Sequence, residues 1–211
     1  MQRMNMLTRA ALFFLLFTAS ACAPMYMGKS ETLRADAFRT EPGWQAVKGV
    51  PELRQETEVD CGPVALTMVT QFWQPGSEPL PMALAERSSA GDLRDAARAH
   101  GYRSFLVEGT LNDIQHELAE HRPVIVGMAK PTTKGALGHY EVVVGMNKEQ
   151  QLIATHDPAL GPRRYGFEDF LREWIGAGRP LLVVIGPPSV LEPVAGLEDP
   201  SDDREADRSE P

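Results

Sequence analysis

Residues 55–66 read Gln-Glu-Thr-Glu-Val-Asp-Cys-Gly-Pro-Val-Ala-Leu, and this stretch carries most of the information about the fold. An apolar run that follows Cys61 and reaches Trp73 predicts a buried helix, with Pro63 in the first turn, where a missing N–H is not needed. The chain has only two cysteines, and the other, Cys22, follows the apolar N-terminal stretch, so Cys61 is not expected to have a disulfide partner within the chain. Cys61 is therefore either an inert buried thiol or a reactive one, and its place at a helix N-terminus favours the reactive thiolate.

Three further residues complete a set that suits thiol chemistry. Gln55 lies six residues before the cysteine, His139 follows Gly138 and begins a valine-rich strand, and Asp157 precedes Pro158 after the next strand. An imidazole can lower the pKa of a thiol and protonate a leaving amine, and a carboxylate can fix the imidazole tautomer. A side-chain amide can join a backbone N–H in stabilising an oxyanion. The sequence thus predicts a nucleophile, a base, an orienting acid and an oxyanion donor.

These residues and their surroundings resemble the papain-like double-glycine-leader peptidases, which precede bacteriocin-exporting transporters. The resemblance rests on Gln55, the Asp60–Pro63 motif, His139 before its strand, and Asp157-Pro158-Ala159-x-Gly161, and it covers most of residues 50–186. It implies a papain-like α+β fold, with the helix carrying Cys61 packed on an antiparallel sheet carrying His139 and Asp157. By the same resemblance Cys61 is the nucleophile, His139 the base, Asp157 the orienting residue and Gln55 the oxyanion donor. The substrate is then a peptide or protein, and neither a metal nor an organic cofactor is required.

The double-glycine leader is not carried over as the substrate, because the transporter domains are cytosolic and this chain is expected to be exported. Two other functions stay open at this stage. One is a silent cleft that binds a peptide or an envelope partner, and the other is transglutaminase-like acyl transfer to an amine. His156 is expected on the strand face opposite Asp157, as a structural or exposed residue. No Cys/His spacing resembles a zinc site.

The N-terminal 21 residues are expected to be a lipoprotein signal peptide. Arg3 and Arg9 precede the apolar stretch 10–19, and Ala19-Ser20-Ala21-Cys22 resembles a lipobox, with Ala19 at the usual leucine position. Cleavage would leave Cys22 as an acylated N-terminus, and Ala23 after it favours the outer membrane, facing the periplasm. The alternative is an ordinary secretory signal, which would give a soluble periplasmic or cell-surface protein.

The remaining chain is expected to form one domain between two irregular ends. Residues 22–41 are interpreted as a tether, residues 42–186 as the peptidase domain, and residues 187–211 as a disordered acidic tail, because low hydrophobicity and high charge do not offset the entropy of ordering. Loss of residues 1–21 changes the net charge from −8 to −10, since it removes two arginines and no acid. This acidic balance argues against a nucleic-acid partner.

Within the domain, helices are expected first and antiparallel strands later, which favours α+β. Helices are predicted over 62–73, 90–100, 110–120 and 167–175, and strands over 104–108, 123–128, 139–147, 151–155 and 181–185. The two strands around Asn147–Gln151 are expected to form a hairpin. The segment Ala129–Leu137 contains Lys130, Pro131 and Gly135 and is predicted to be a loop, either flexible or a lid over the cleft.

Overall fold

The apolar runs of the sequence form the strands of one antiparallel sheet in the computed structural model, which describes residues 26–82 and 87–187. The expected signal peptide, Cys22 and nearly all of the acidic tail lie outside these residues. The strands are β1 (Glu31–Thr32), β2 (Trp44–Ala46), β3 (Arg103–Glu108), β4 (Val124–Thr132), β5 (Gly135–Asn147), β6 (Leu152–Asp157), β7 (Gly161–Gly166) and β8 (Pro180–Ile185). The helices are α1 (Ala37–Thr40), α2 (Cys61–Trp73), α3 (Ala90–Ala99), α4 (Leu111–Ala119) and α5 (Phe167–Gly176).

The described strands follow the order β1-β7-β6-β5-β4-β8-β3, and β2 pairs with the end of β5. Most neighbours are joined by long antiparallel ladders, of which β4 and β5 form the longest, from Val124↔Val143 to Thr132↔Gly135. β5 then pairs with β6, with a register shift between Val143 and Gly145. These ladders matter for function because they place β4, β5 and β6 side by side.

Burial of apolar side chains holds the helices against this sheet. α2 packs mainly on β5, α3 on β3, and α5 on β4. Phe170 and Trp174 of α5 are fully buried, as are Leu66 and Met68 of α2. Each such side chain contributes about 1.5–3 kcal/mol relative to an exposed one. α3 and α4 begin with capping boxes, Ser89 with Asp92 and Thr110 with Asp113, which satisfy backbone N–H groups at the helix starts.

The structure confirms each predicted helix and strand of the domain but corrects the predicted loop at 129–137. β4 continues to Thr132 and β5 begins at Gly135, so the expected loop is the end of a β-hairpin. Lys130 is 4% exposed there. The polar and turn-forming residues of this segment suggested exposure, but its lysine has buried carboxylate partners on other elements.

The expected tether also differs from the structure over residues 26–41. Tyr26 forms a bridge with Thr132, β1 pairs with β7, and Leu33 and Ala37 are buried. This segment therefore packs against the sheet, since its few apolar side chains find partners there. In the part of the chain that the structure describes, no helix is long and apolar enough to cross a membrane.

Candidate active site

Cys61 is the first residue of α2 and is a buried, free cysteine. Gly62 allows the helix start to approach the sheet, because a Cβ there would lie 3.2 Å from both Leu93 and Tyr140. The thiol accepts a hydrogen bond from the backbone N–H of Tyr140, immediately after His139 on β5. The start of α2 is thus held directly against the strand that carries the predicted base.

His139 and Asp157 are joined by a hydrogen bond of 2.7 Å between Nε2 and Oδ1. Asp157 Oδ1 also accepts from the backbone N–H groups of Ala159 at 2.8 Å and Leu160 at 3.2 Å. These donors fix the carboxylate beside the ring. Because Nε2 is committed to Asp157, Nδ1 is the ring nitrogen left for the Cys61 thiol, with which His139 forms a side-chain hydrogen bond.

The surroundings of these three groups favour their charged forms. Burial opposes the thiolate, but the hydrogen bond and charge of His139 and the Tyr140 N–H lower the pKa of Cys61 below its ordinary value. Burial likewise opposes the imidazolium, yet Asp157 and Cys61 raise the pKa of His139 to about 9. Burial acts against the Asp157 carboxylate too, and His139 nevertheless lowers its pKa to about 2. The arrangement therefore supports a thiolate–imidazolium pair at neutral pH.

The cleft beside Cys61 is a half-open cavity of about 170 Å³. Arg87 lies at its edge, donates a hydrogen bond of 2.8 Å to the carbonyl of Gly138, and also lowers the pKa of Cys61 through its charge. The cavity is lined by Val59, Cys61, Gly62, Arg87, Ser88, Gly127, Met128, Gly138, His139, Tyr140, Ala177 and Pro180. A second cleft of about 260 Å³ reaches His139 and Asp157 past Tyr26, Leu137 and Leu160.

Gln55 lies on the Asp157 side of the site and does not line the cavity at Cys61 among the described residues. Its backbone N–H donates to Pro158 O at 3.0 Å, and its side-chain amide donates to Thr57 O at 2.7 Å. Its Oε1 is buried and has no hydrogen-bond partner within the described parts of the chain. The loop between Gln55 and α2 is closed by the Asp60 carboxylate, which accepts from backbone N–H groups of the loop.

Asp60 therefore closes the turn before α2 and does not cap the helix through its side chain, whereas His156 has the structural role expected of it. His156 lies on β6 next to Asp157, and its Nδ1 is 3.4 Å from Pro51 O. Burial lowers its pKa. The structure therefore brings Cys61, His139 and Asp157 together, and the backbone of Gln55 is bonded to Pro158, next to the acid.

Sequence reasoning missed a buried charged cluster behind the site. Lys130 bonds to Glu141 and to the hydroxyl of Tyr165, and its ammonium lies 3.7 Å from Asp157 Oδ2 and 3.4 Å from Glu173 Oε2. The signal for Glu141 was present, because it lies two strand positions after His139 and so shares its face. Lys130 gave no such signal, since it falls in a stretch with the composition of a turn.

The same geometry bears on metal binding. His139, Glu141 and Asp157 offer ligand atoms that all lie within 4.8 Å of one another. The ammonium of Lys130 is already bonded to Glu141 and lies near Asp157. A lysine therefore supplies the positive charge that a metal would otherwise bring to these carboxylates, and the donor set does not fit a metal ion well.

Comparisons with known proteins bear on the fold of the chain. The chain is similar in structure to the peptidase domain of Streptococcus ComA, a bifunctional ABC transporter involved in quorum sensing, with 21% identity over 65% of this chain and 99% of that one and a TM-score of 0.52. It is also similar to a protein described as a C39-like peptidase from Bacillus anthracis, with 14% identity over 66% of this chain and 96% of that one and a TM-score of 0.51.

These likenesses confirm the predicted papain-like α+β fold. No curated protein matches the sequence significantly. The model of the Peptidase_C39 like family matches residues 47–181, which is more than half of the chain and contains Cys61, His139 and Asp157. The chain therefore belongs to the C39-like peptidase family.

Proposed function

We propose that this protein is a cysteine peptidase that hydrolyses a peptide bond with Cys61 as nucleophile, His139 as acid and base, and Asp157 as the orienting residue. The observation that carries the proposal is the contact of these three side chains, which come from the start of α2, from β5 and from the end of β6. Family membership supports the reaction class, and the half-open cleft at Cys61 gives a peptide access to the thiol.

The reaction follows from the charges of the pair. The Cys61 thiolate attacks the peptide carbonyl carbon, a C–S bond forms, and the carbonyl oxygen becomes an oxyanion. Imidazolium His139 gives its proton to the leaving nitrogen as the C–N bond breaks, which leaves a thioester and a neutral imidazole. Water then attacks the thioester while His139 takes its proton. The acid product departs, and the thiolate and imidazolium are restored.

The oxyanion needs hydrogen-bond donors near the thiol. The backbone N–H of Cys61, at the start of α2, is one donor in this proposal, because the first N–H groups of a helix have no partner within it. Gln55 is the second donor that we propose. Its amide has two hydrogens, and only one is needed for the bond to Thr57 O. The other hydrogen is the one that this proposal assigns to the oxyanion.

We also propose that the protein is anchored through acylated Cys22 at the outer membrane, facing the periplasm. The support is the lipobox-like sequence that ends at Cys22. Cys22 comes four residues before Tyr26, which forms a β-bridge with Thr132. Four residues span at most about 14 Å. A lipid at Cys22 would therefore hold the face of the domain that carries Tyr26 and the second cleft close to the bilayer. Mass spectrometry of membrane fractions would detect the acylated Cys22 peptide, and recovery of full-length protein from the soluble fraction with an unmodified thiol would contradict anchoring.

The first test measures the rate of Cys61 alkylation by iodoacetamide against pH, in protein that starts after Cys22. Fast labelling well below pH 8 that His139→Ala abolishes is expected for a thiolate–imidazolium pair. His156→Ala is the matched control, because His156 lies on the same strand as Asp157 but contacts Pro51. If labelling rises only near the free-thiol pKa in both the wild type and His139→Ala, the proposal is overturned and a silent, peptide-binding cleft is favoured.

The second test uses a library of unstructured peptides as substrate. We expect cleavage that Cys61→Ala removes. Unchanged cleavage by Cys61→Ala would overturn the proposal. A primary amine added to the same reaction separates hydrolysis from acyl transfer, since mass spectrometry detects amine conjugates only if the amine resolves the thioester.

A further inference from the structure

Lys130 is the buried cation closest to the candidate triad. Its side chain is 6% exposed, and its ammonium is surrounded by three buried carboxyl groups, those of Glu141, Asp157 and Glu173. It also lies over the rings of Tyr26 and Tyr165, at 4.9 and 5.1 Å from their centroids. A buried ammonium is costly to desolvate and is retained only where such partners offset that cost.

Strand register places this lysine on the same face as the triad. In the β4–β5 ladder Met128 is opposite His139 and Lys130 is opposite Leu137, so Lys130 is a diagonal neighbour of His139. Glu141 follows His139 by two positions on β5 and shares that face. A substitution at Lys130 thus acts on the ring through two neighbours, Glu141 and Asp157, rather than through the substrate cleft.

The bonding pattern shows what the lysine does to each carboxylate. Glu141 is engaged on one oxygen by Lys130 and Tyr165 and on the other by the hydroxyl of Thr155. Asp157 uses Oδ1 for His139, whereas its Oδ2 is buried without a hydrogen-bond partner among the described residues. Lys130, at 3.7 Å, is the cation that faces that oxygen.

Glu141 would otherwise compete with Asp157. Its ligand atoms lie within 4.8 Å of those of both His139 and Asp157, so a Glu141 carboxylate free to move is within reach of the imidazole. Two uncompensated carboxylates beside the ring would also double the local negative charge, which disfavours a thiolate at Cys61. The ion pair with Lys130 prevents both effects.

We propose that Lys130 is a positioning residue of the active site, which neutralises Glu141 and holds Asp157, so that Asp157 is the one uncompensated carboxylate of the two beside His139. This inference rests on the proposed cysteine-peptidase chemistry. The titratable or charged groups that face His139 and its carboxylates, from all the described elements packed there, are Tyr26, Cys61, Arg87, Lys130, Glu141, Asp157, Tyr165 and Glu173.

A charge cycle tests the proposal with Lys130→Met, Glu141→Gln and the double variant. The readouts are the pH profile of Cys61 alkylation and the titration of His139 by NMR, and neither needs a substrate. Lys130→Met adds one net negative charge, so both profiles should move to higher pH, by about one unit. Glu141→Gln removes one negative charge, and both profiles should move to lower pH. The double variant restores the charge balance, so its two profiles should lie close to those of the wild type. The remaining difference from the wild type should be no more than about half of the shift seen in either single variant.

This pattern separates a charge effect from damage to the fold. Lys130→Met leaves Glu141 buried without its ammonium partner, so this variant is the one at risk of not folding. In that case Glu141→Gln still tests the direction of the shift in the two pH profiles, and the double variant still tests whether the profiles move back toward those of the wild type. Equal shifts in Lys130→Met and the double variant, or no shift in any folded variant, would overturn the role of Lys130. If the wild-type thiol is unreactive, the proposed peptidase function fails instead, and the His139 titration still decides whether Lys130 sets its charge.

Discussion

Asp157 holds His139 through a single oxygen, Oδ1, which lies 2.7 Å from Nε2 of the ring. The same oxygen accepts hydrogen bonds from the backbone N–H groups of Ala159 and Leu160. The bond between Asp157 and His139 joins the interior of β5 to the last residue of β6, and residues 142 and 156 are opposite each other in the ladder of these strands. The acid and the base therefore lie side by side because of the sheet register, without any loop rearrangement. This rigidity suits a carboxylate whose task is to fix a ring orientation.

Asp157→Asn should lower the activity by about 10² to 10⁴-fold while the fold is kept. The carboxylate is a principal cause that raises the pKa of His139 to about 9, so its loss should make the ring titrate at lower pH. The thiolate fraction of Cys61 at neutral pH should then fall. Cys61 alkylation and His139 NMR titration measure both effects.

His156→Asn is the matched control for this variant, because it changes the neighbouring residue on the same strand to the same side chain. His156 contacts Pro51 and has Glu52 at 4.0 Å, away from the thiol. A His139 titration that is identical in Asp157→Asn and the wild type would contradict the orienting role of the carboxylate.

The elements that position the triad could be predicted from the sequence because each has a strong local pattern. The run from Val64 to Trp73 and the valines after His139 bury most of their side chains, and burial is what the hydrophobic pattern reports. The order of Gln55, Cys61, His139 and Asp157 then suggested which of these elements meet. The hydrogen bond from the Gln55 side chain to Thr57 O could not be predicted in this way, because the order of residues along the chain does not show which local acceptor a side chain will use.

The features that were missed depend on contacts between distant parts of the chain. β7 contains Pro162, Arg163 and Arg164, which are typical of a loop, yet it pairs with both β6 and β1. The arginines find partners at its edges, such as Ser30 and Glu31. Lys130 likewise has its partners on β5, β6 and α5. Tertiary packing overrides local propensity in such strands, and one sequence does not display the pairing.

Cys61→Ser should make the stability of the protein depend more strongly on pH. The pKa of His139 in the folded protein is raised above the unfolded value of 6.5. Its contribution to the free energy of unfolding is therefore full below pH 6.5 and is lost as the pH rises through about 9. Cys61 has a lowered folded pKa, so its contribution has the opposite sign and grows over part of the same range. The two largely cancel in the wild type.

Without the thiol, the His139 contribution stands alone. The free energy of unfolding of Cys61→Ser should fall as the pH rises above 6.5, with a slope of at most about 1.4 kcal/mol per pH unit. The fall should end at a lower pH than the wild-type pKa of about 9, because the bond to Cys61 that helps to raise the pKa of His139 is lost. Urea titrations at several pH values measure it, and Cys61→Ser/His139→Gln should be flat again. A wild type that already loses stability at the full slope would show that Cys61 is not deprotonated in the folded state.

Gly62→Ala should loosen the contact between α2 and β5. The new methyl group would lie 3.2 Å from both Leu93 and Tyr140, so these side chains must move by a few tenths of an ångström, at a cost of about 1–3 kcal/mol. Because the Tyr140 N–H donates to the Cys61 thiol, any movement of Tyr140 should also slow alkylation. Gly91→Ala is the matched control, since a Cβ there meets only Ser89 Oγ, at 3.5 Å. That control should alter stability by no more than about 1 kcal/mol and leave alkylation unchanged. A Gly62→Ala protein with wild-type stability and wild-type alkylation would show that the approach of α2 to β5 does not set the reactivity of Cys61.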